Sequence, residues 1–186
     1  MQFIKRTLIV FVILIIILFS FQKYLYNTFI TYDSIGVRPN YIIKEKKLIN
    51  YIDIQNENMN LKSVNEVITA GLYITTETLN FSTDKNDTDP NKLITSRNVH
   101  CVGYTSFFSA TCNSLLKKSN LNETWEAKPH IGKLYLFGTN IHNFFDSSFF
   151  KDHDFVIIKN KISEKEIAID PSLYEYLFIS EVTLKK

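Results

Sequence analysis

The sequence predicts an α+β domain carried behind an N-terminal apolar helix. Three features carry that prediction: an uncharged apolar run near the N-terminus, two amphipathic helical stretches further on, and a series of strand-like runs after them. Helices first and strands afterwards imply segregated layers, with an antiparallel sheet packed against the second helical stretch. At 186 residues, 45% hydrophobic and 14% aromatic, the chain is long and apolar enough for one packed core with an appendage.

The apolar run is Thr7 to Phe21, TLIVFVILIIILFSF, preceded by Lys5-Arg6. A hydrocarbon layer of ~30 Å takes roughly 20 helical residues, so the run reaches across with help from Tyr24 and Tyr26 at the interface and a snorkelling Lys23. A cleaved secretory signal would end in small residues, whereas QKYLYNTF follows here. Residues 1–30 are therefore expected to be an uncleaved anchor whose partner is the lipid bilayer, through residues 7–21. The basic pair places the N-terminus in the cytoplasm and the remainder outside it, in the periplasm or the extracellular space.

Lys5, Arg6 and Lys23 are the only charges in that segment, so the formal charge of +2 becomes −1 for the rest of the chain. Nothing there resembles the clustered basic face that nucleic acid requires. Residues 31–60 read as a stalk, broken by Gly36, Pro39 and KEKK, with a short strand near Tyr51 to Ile54. The main domain is then 61–186.

Ser63-Val64-Asn65-Glu66 fits a capping box, and Val64, Ile68, Leu72, Thr75 and Leu79 recur at helical spacing, which predicts a helix over 63–79. Residues 82–91, STDKNDTDPN, read as an exposed loop. From Cys101, the residues Tyr104, Phe107, Phe108, Thr111, Leu115 and Leu116 repeat at three and four, and Lys117-Lys118 suit a helix C-terminus. Strands are expected at Ile131 to Phe137, Phe155 to Ile158, Glu166 to Ile169 and Leu173 to Ile179.

Cys101 and Cys112 on one helix lie ~16 Å apart, beyond the ~7 Å limit for a disulfide. Cys112 falls on the apolar face and reads as core. Cys101 opens the helix, where the N-terminal dipole favours a thiolate. A nucleophilic thiolate also needs an oriented imidazole. His153 begins one strand and Asp170 ends the next, so a hairpin brings them together. His100, His130 and His142 show no metal-ligand spacing, and neither metal nor cofactor is expected. Phe144, Phe145, Phe149 and Phe150 are expected as a buried loop, the other reading being a cleft wall or partner surface.

HCVGYTSFFSATCNSLL, HDFVII and AIDPSLYEY, in that order, resemble the Cys, His and Asp blocks of the transglutaminase-like, papain-like cysteine peptidase superfamily. The resemblance covers about residues 60 to 177 and implies Cys101, His153 and Asp170 as a catalytic triad. Family members often carry Gly two residues before the cysteine, where this chain has Val99, and His100 stands next to the nucleophile. The implied activity is that of a membrane-anchored, extracytoplasmic cysteine peptidase or amidase, or an acyltransferase of the same type, acting on a protein or peptide. The alternative is a non-catalytic subunit or binding module of a membrane-associated complex.

Overall fold

The computed structural model describes residues 2–84 and 87–186; the side chains of 2–5, 8–10, 12–18 and 58 lie outside the description. Among the described residues the architecture is mixed α+β. Its main sheet is built on β1 (Ile30–Val37), β4 (Trp125–Leu136), β6 (His153–Asn160), β7 (Glu166–Ile169) and β8 (Thr183–Leu184). The spatial order is β7-β6-β4-β1-β8, antiparallel throughout except for the parallel β1–β8 pair. A short strand, β5 (Thr139–Asn140), folds back on β4. β2 (Asn80–Phe81) and β3 (Asn98–Val99) form a separate parallel pair.

Strand alternation sorts the core into two sides. Val156, Ile158, Ile167 and Ile169 join the cluster beneath the helices. Phe155, Ile157 and Ala168 join Tyr32, Ile179 and Val182 on the other side. With both faces covered, β6 reads as the unbroken apolar run FVII rather than as an alternation.

The helical layer contains α3 (Val64–Thr78), capped by the reciprocal Ser63–Glu66 box, and α5 (Cys101–Lys118). The two cross where Gly71 meets Cys112, whose sulfur lies 2.6 Å from where a Cβ on residue 71 would stand. α5 packs on β4 and β6, as the sequence leads one to expect.

Three stretches differ from the sequence expectations. Residues 31–60, read as a stalk, contribute β1 to the sheet, and 51–54 are helix rather than strand. They lie within α2 (Lys46–Asn58), whose Leu48 and Ile52, one turn apart, are both 0% exposed in the core. Part of the expected loop at 82–91 starts α4 (Pro90–Ser96), in which Asp89 caps and Pro90 takes the first helical position; residues 85 and 86 of that loop lie outside the described residues. Residues 173–179, expected as a strand, fall largely in α6 (Pro171–Leu177) for the same reason: Asp170 accepts from the Ser172 and Leu173 N–H groups, and Pro171 follows it. An Asp-Pro pair is a helix start, and it outweighs the β propensity of LYEYLFI.

The N-terminal segment forms α1 (Gln2–Phe29), which runs directly into β1. No helix among the described residues is long and apolar enough to cross a membrane. The anchor expectation rests mainly on residues 8–10 and 12–18, whose side chains lie outside the description. The other end of α1 is seated on the domain: Gln22 Nε2 donates to the Leu177 carbonyl at 2.7 Å and Asn27 Nδ2 to the Glu181 carbonyl at 3.0 Å.

Candidate active site

Cys101 is the first residue of α5 and is partly exposed, while Cys112 is fully buried; both are free thiols. His100 caps the helix, its Nδ1 accepting the Val102 N–H at 3.3 Å. His153 begins β6, directly opposite Gly132 of β4 in the antiparallel register. A Cβ at position 132 would lie 2.8 Å from the His153 carbonyl oxygen and 2.7 Å from the Phe155 ring, so only glycine lets the strands close there.

The structure brings the three sequence-predicted residues together. His153 Nε2 lies 2.6 Å from Asp170 Oδ2, and Cys101 and His153 line the same cavity. Asp170 is buried and fully engaged. Its Oδ1 accepts from Ser172 N (3.1 Å), Ser172 Oγ (2.7 Å) and Leu173 N (3.0 Å). Its Oδ2 accepts from His153 and from the Tyr32 hydroxyl at 2.8 Å.

These contacts set the protonation states. Burial pushes the Cys101 thiol up, but hydrogen bonds from His100 and His153, the charge on His153 and the Asp154 backbone N–H outweigh it and bring the pKa down to about 7. Burial alone would lower His153; the Asp170 carboxylate and the Cys101 sulfur instead raise it well above the ordinary imidazole value. Asp170 is held below the usual carboxylate range because the His153 cation and the donors around it outweigh its burial. The same surroundings thus shift the thiol down and the imidazole up. Cys112, buried without a charged partner, is shifted upward.

Asp154 anchors the β6 side of the site. Its carboxylate is buried and pairs with the Arg38 guanidinium, Nη2 lying 3.0 Å from Oδ1. Burial still leaves Asp154 above its ordinary value, and the same pairing raises Arg38.

A cavity of about 250 Å³ opens beside the thiol, with Cys101 and His153 in its lining and Phe81, Leu134, Ile141, Phe149 and Phe150 as apolar walls. His142 also borders it with both ring nitrogens occupied, Nε2 accepting from Leu134 N at 3.0 Å and Nδ1 facing the Phe150 carbonyl at 2.7 Å. The aromatic segment expected as a buried loop is thus largely surface: Phe144 is 74% exposed and Phe150 47%, because two short 3-10 turns, Ile141–Phe144 and Ser148–Phe150, hold it over the cleft. A larger cavity of about 660 Å³, bordered by Tyr41, Ile49, Asn113 and Lys117, contains none of the three residues. No cluster of metal-ligating side chains occurs among the described residues.

Sequence reasoning passed over Tyr32, Arg38, Asp154 and Gly132. The lone glycine in the middle of a strand pattern was a readable signal of close backbone approach. Tyr32 and Arg38 carried none, because their partners lie far along the chain.

No family model and no curated protein matches the chain. Among solved structures it is similar to the periplasmic domain of TgpA from Pseudomonas aeruginosa bound to ethylmercury, with 12% identity and a TM-score of 0.47 over 74% of this chain. The match spans 47% of that structure's length.

Proposed function

We propose that the protein is a thiol hydrolase of the transglutaminase-like type, a peptidase or amidase with Cys101, His153 and Asp170 as its triad. The observation that carries this reading is the pairing of His153 with the Asp170 carboxylate, at 2.6 Å, beside a cavity that Cys101 also lines. In this reading the Cys101 thiolate attacks an amide carbonyl. The Cys101 backbone N–H, at the open end of α5, donates to the developing oxyanion. The His153 imidazolium gives its proton to the leaving amine, and water, activated by the now neutral His153, releases the acid from the thioester. Asp170 holds the imidazole in place throughout. The apolar cavity suits a substrate that presents a neutral, bulky side chain beside the attacked carbonyl.

The proposal extends to location: α1 embeds residues 7–21 in a bilayer and the domain lies on the extracytoplasmic side. A reporter active only outside the cytoplasm, fused after Lys186, is then active, and activity of a cytoplasm-only reporter there would overturn the assignment. The catalytic reading is tested by amide turnover on a peptide library with purified wild type and Cys101→Ala. Turnover lost in the variant supports the hydrolase. A wild type that binds peptides but never cleaves them points to the binding-module reading.

A further inference from the structure

The end of α1 reaches the triad through two tyrosines. The Tyr26 hydroxyl, on the last turns of α1, lies 2.6 Å from the Tyr32 hydroxyl on β1, and the Tyr32 hydroxyl donates to Asp170 Oδ2 at 2.8 Å. A phenol has one proton, and an ionised carboxylate only accepts. Tyr32 therefore spends its proton on Asp170, and Tyr26 must be the donor in the first bond. The direction is fixed: Tyr26 to Tyr32 to Asp170.

Tyr32 is 1% exposed, and its ring also stands edge-on to the imidazole of His153, with centroids 6.1 Å apart, and to Phe155 at 5.3 Å. One side chain thus touches both members of the His153–Asp170 pair. The three donors on Asp170 Oδ1 come from the cap of α6 and would serve any helix start. Tyr32 supplies a bond to Oδ2 from a strand 138 residues away in sequence, and that is the oxygen which grips the imidazole.

We propose that Tyr32 and Tyr26 are positioning residues of the site, and that the C-terminal turns of α1 are thereby part of the catalytic unit. This inference rests on the triad reading above. Tyr32 holds Oδ2 against rotation about the Cβ–Cγ bond, and Tyr26 holds the Tyr32 hydroxyl in turn. The Gln22 and Asn27 bonds to the Leu177 and Glu181 carbonyls, together with the Thr183 hydroxyl's bond to the Asn27 carbonyl at 3.1 Å, fix the helix end that carries Tyr26.

The test is the pH profile of Cys101 alkylation by iodoacetamide, read by mass on the full-length chain, in wild type, Tyr32→Phe, Tyr26→Phe and the exposed control Tyr24→Phe. Each change removes one hydroxyl and keeps the ring. The other titratable groups facing the pair are His100, Arg38, His142, Asp152 and Asp154, and all remain in place. Loosening Asp170 weakens the imidazolium and with it the thiolate, so the acid limb of the profile moves up by about one unit in Tyr32→Phe and by less in Tyr26→Phe. Tyr24→Phe leaves it in place. Tyrosine variants that lower the melting temperature with the profile unmoved would show a purely structural role and overturn the inference. Should Tyr32→Phe fail to fold, Tyr26→Phe alone decides, through the same limb. A wild type that alkylates like an ordinary thiol, with a midpoint near ~8.5, would instead sink the triad reading itself.

Discussion

His153 Nε2 stands 2.6 Å from Asp170 Oδ2, with the imidazole partly open to the cleft and the carboxylate 1% exposed. The pairing raises His153 and lowers Asp170. The raised histidine contributes stability that is complete below its unfolded pKa of ~6.5 and is lost as pH rises through the folded value; the lowered aspartate contributes above ~3.9 and is lost as pH falls through its folded value. The pair therefore contributes fully between roughly pH 4 and 6.5. Melting temperature measured against pH should show an excess in that window for wild type, flattened in His153→Phe. A parallel pair of curves would contradict the assignment.

Asp170→Asn tests orientation apart from folding, because asparagine still caps α6. Its amide cannot hold the same imidazole tautomer, and loss of that control in a catalytic triad costs on the order of 10⁴ in kcat. Turnover should collapse by far more than folding is affected: circular dichroism keeps its native shape, and the melting temperature falls only by the loss of the His153 and Tyr32 bonds to the carboxylate.

The two thiols should separate cleanly. With Cys101 near 7 and Cys112 shifted upward, iodoacetamide at neutral pH is expected to modify Cys101 alone, and Cys112 only in denaturant. Equal modification of both in the folded protein would refute the activated state.

Arg38 and Asp154 make a further test. Arg38→Met leaves a buried carboxylate without its cation, at a cost of about 2–3 kcal/mol, below the ~3–5 of a fully buried pair because Arg38 is partly exposed. Asp154→Leu in the same chain should recover most of that loss. Chemical denaturation of both variants measures it, and strictly additive losses would mean the residues do not interact.

At the α3–α5 crossing, Gly71→Ala gains ~1 kcal/mol of helix propensity but presses on Cys112, and overpacking costs ~1–3 kcal/mol. A net destabilisation is expected, relieved in part by Cys112→Ala.

Local signals were the legible ones. The Ser63–Glu66 box, the apolar spacing behind Cys101 and the FVII and EIAI runs each depend on residues within a few positions of one another, and each formed the expected element. The site residues Cys101, His153 and Asp170 could be singled out because each opens or closes such an element. α2 and α6 were misread where a strand-like composition masked a helix start. Tyr32 and Arg38 were invisible because their roles arise from β1 pairing with β4 and β8, which no local pattern encodes.

That pairing also sets a clock. Tyr32 lies opposite Leu184 across the parallel β1–β8 contact, and its bond to Asp170 spans 138 residues. At ~5–20 residues per second, Asp170 leaves the ribosome roughly 7–28 seconds after Tyr32. Cys101 emerges midway through that interval, ahead of both His153 and Asp170, so the partner that draws its pKa down in the folded protein is still missing when the thiol first appears.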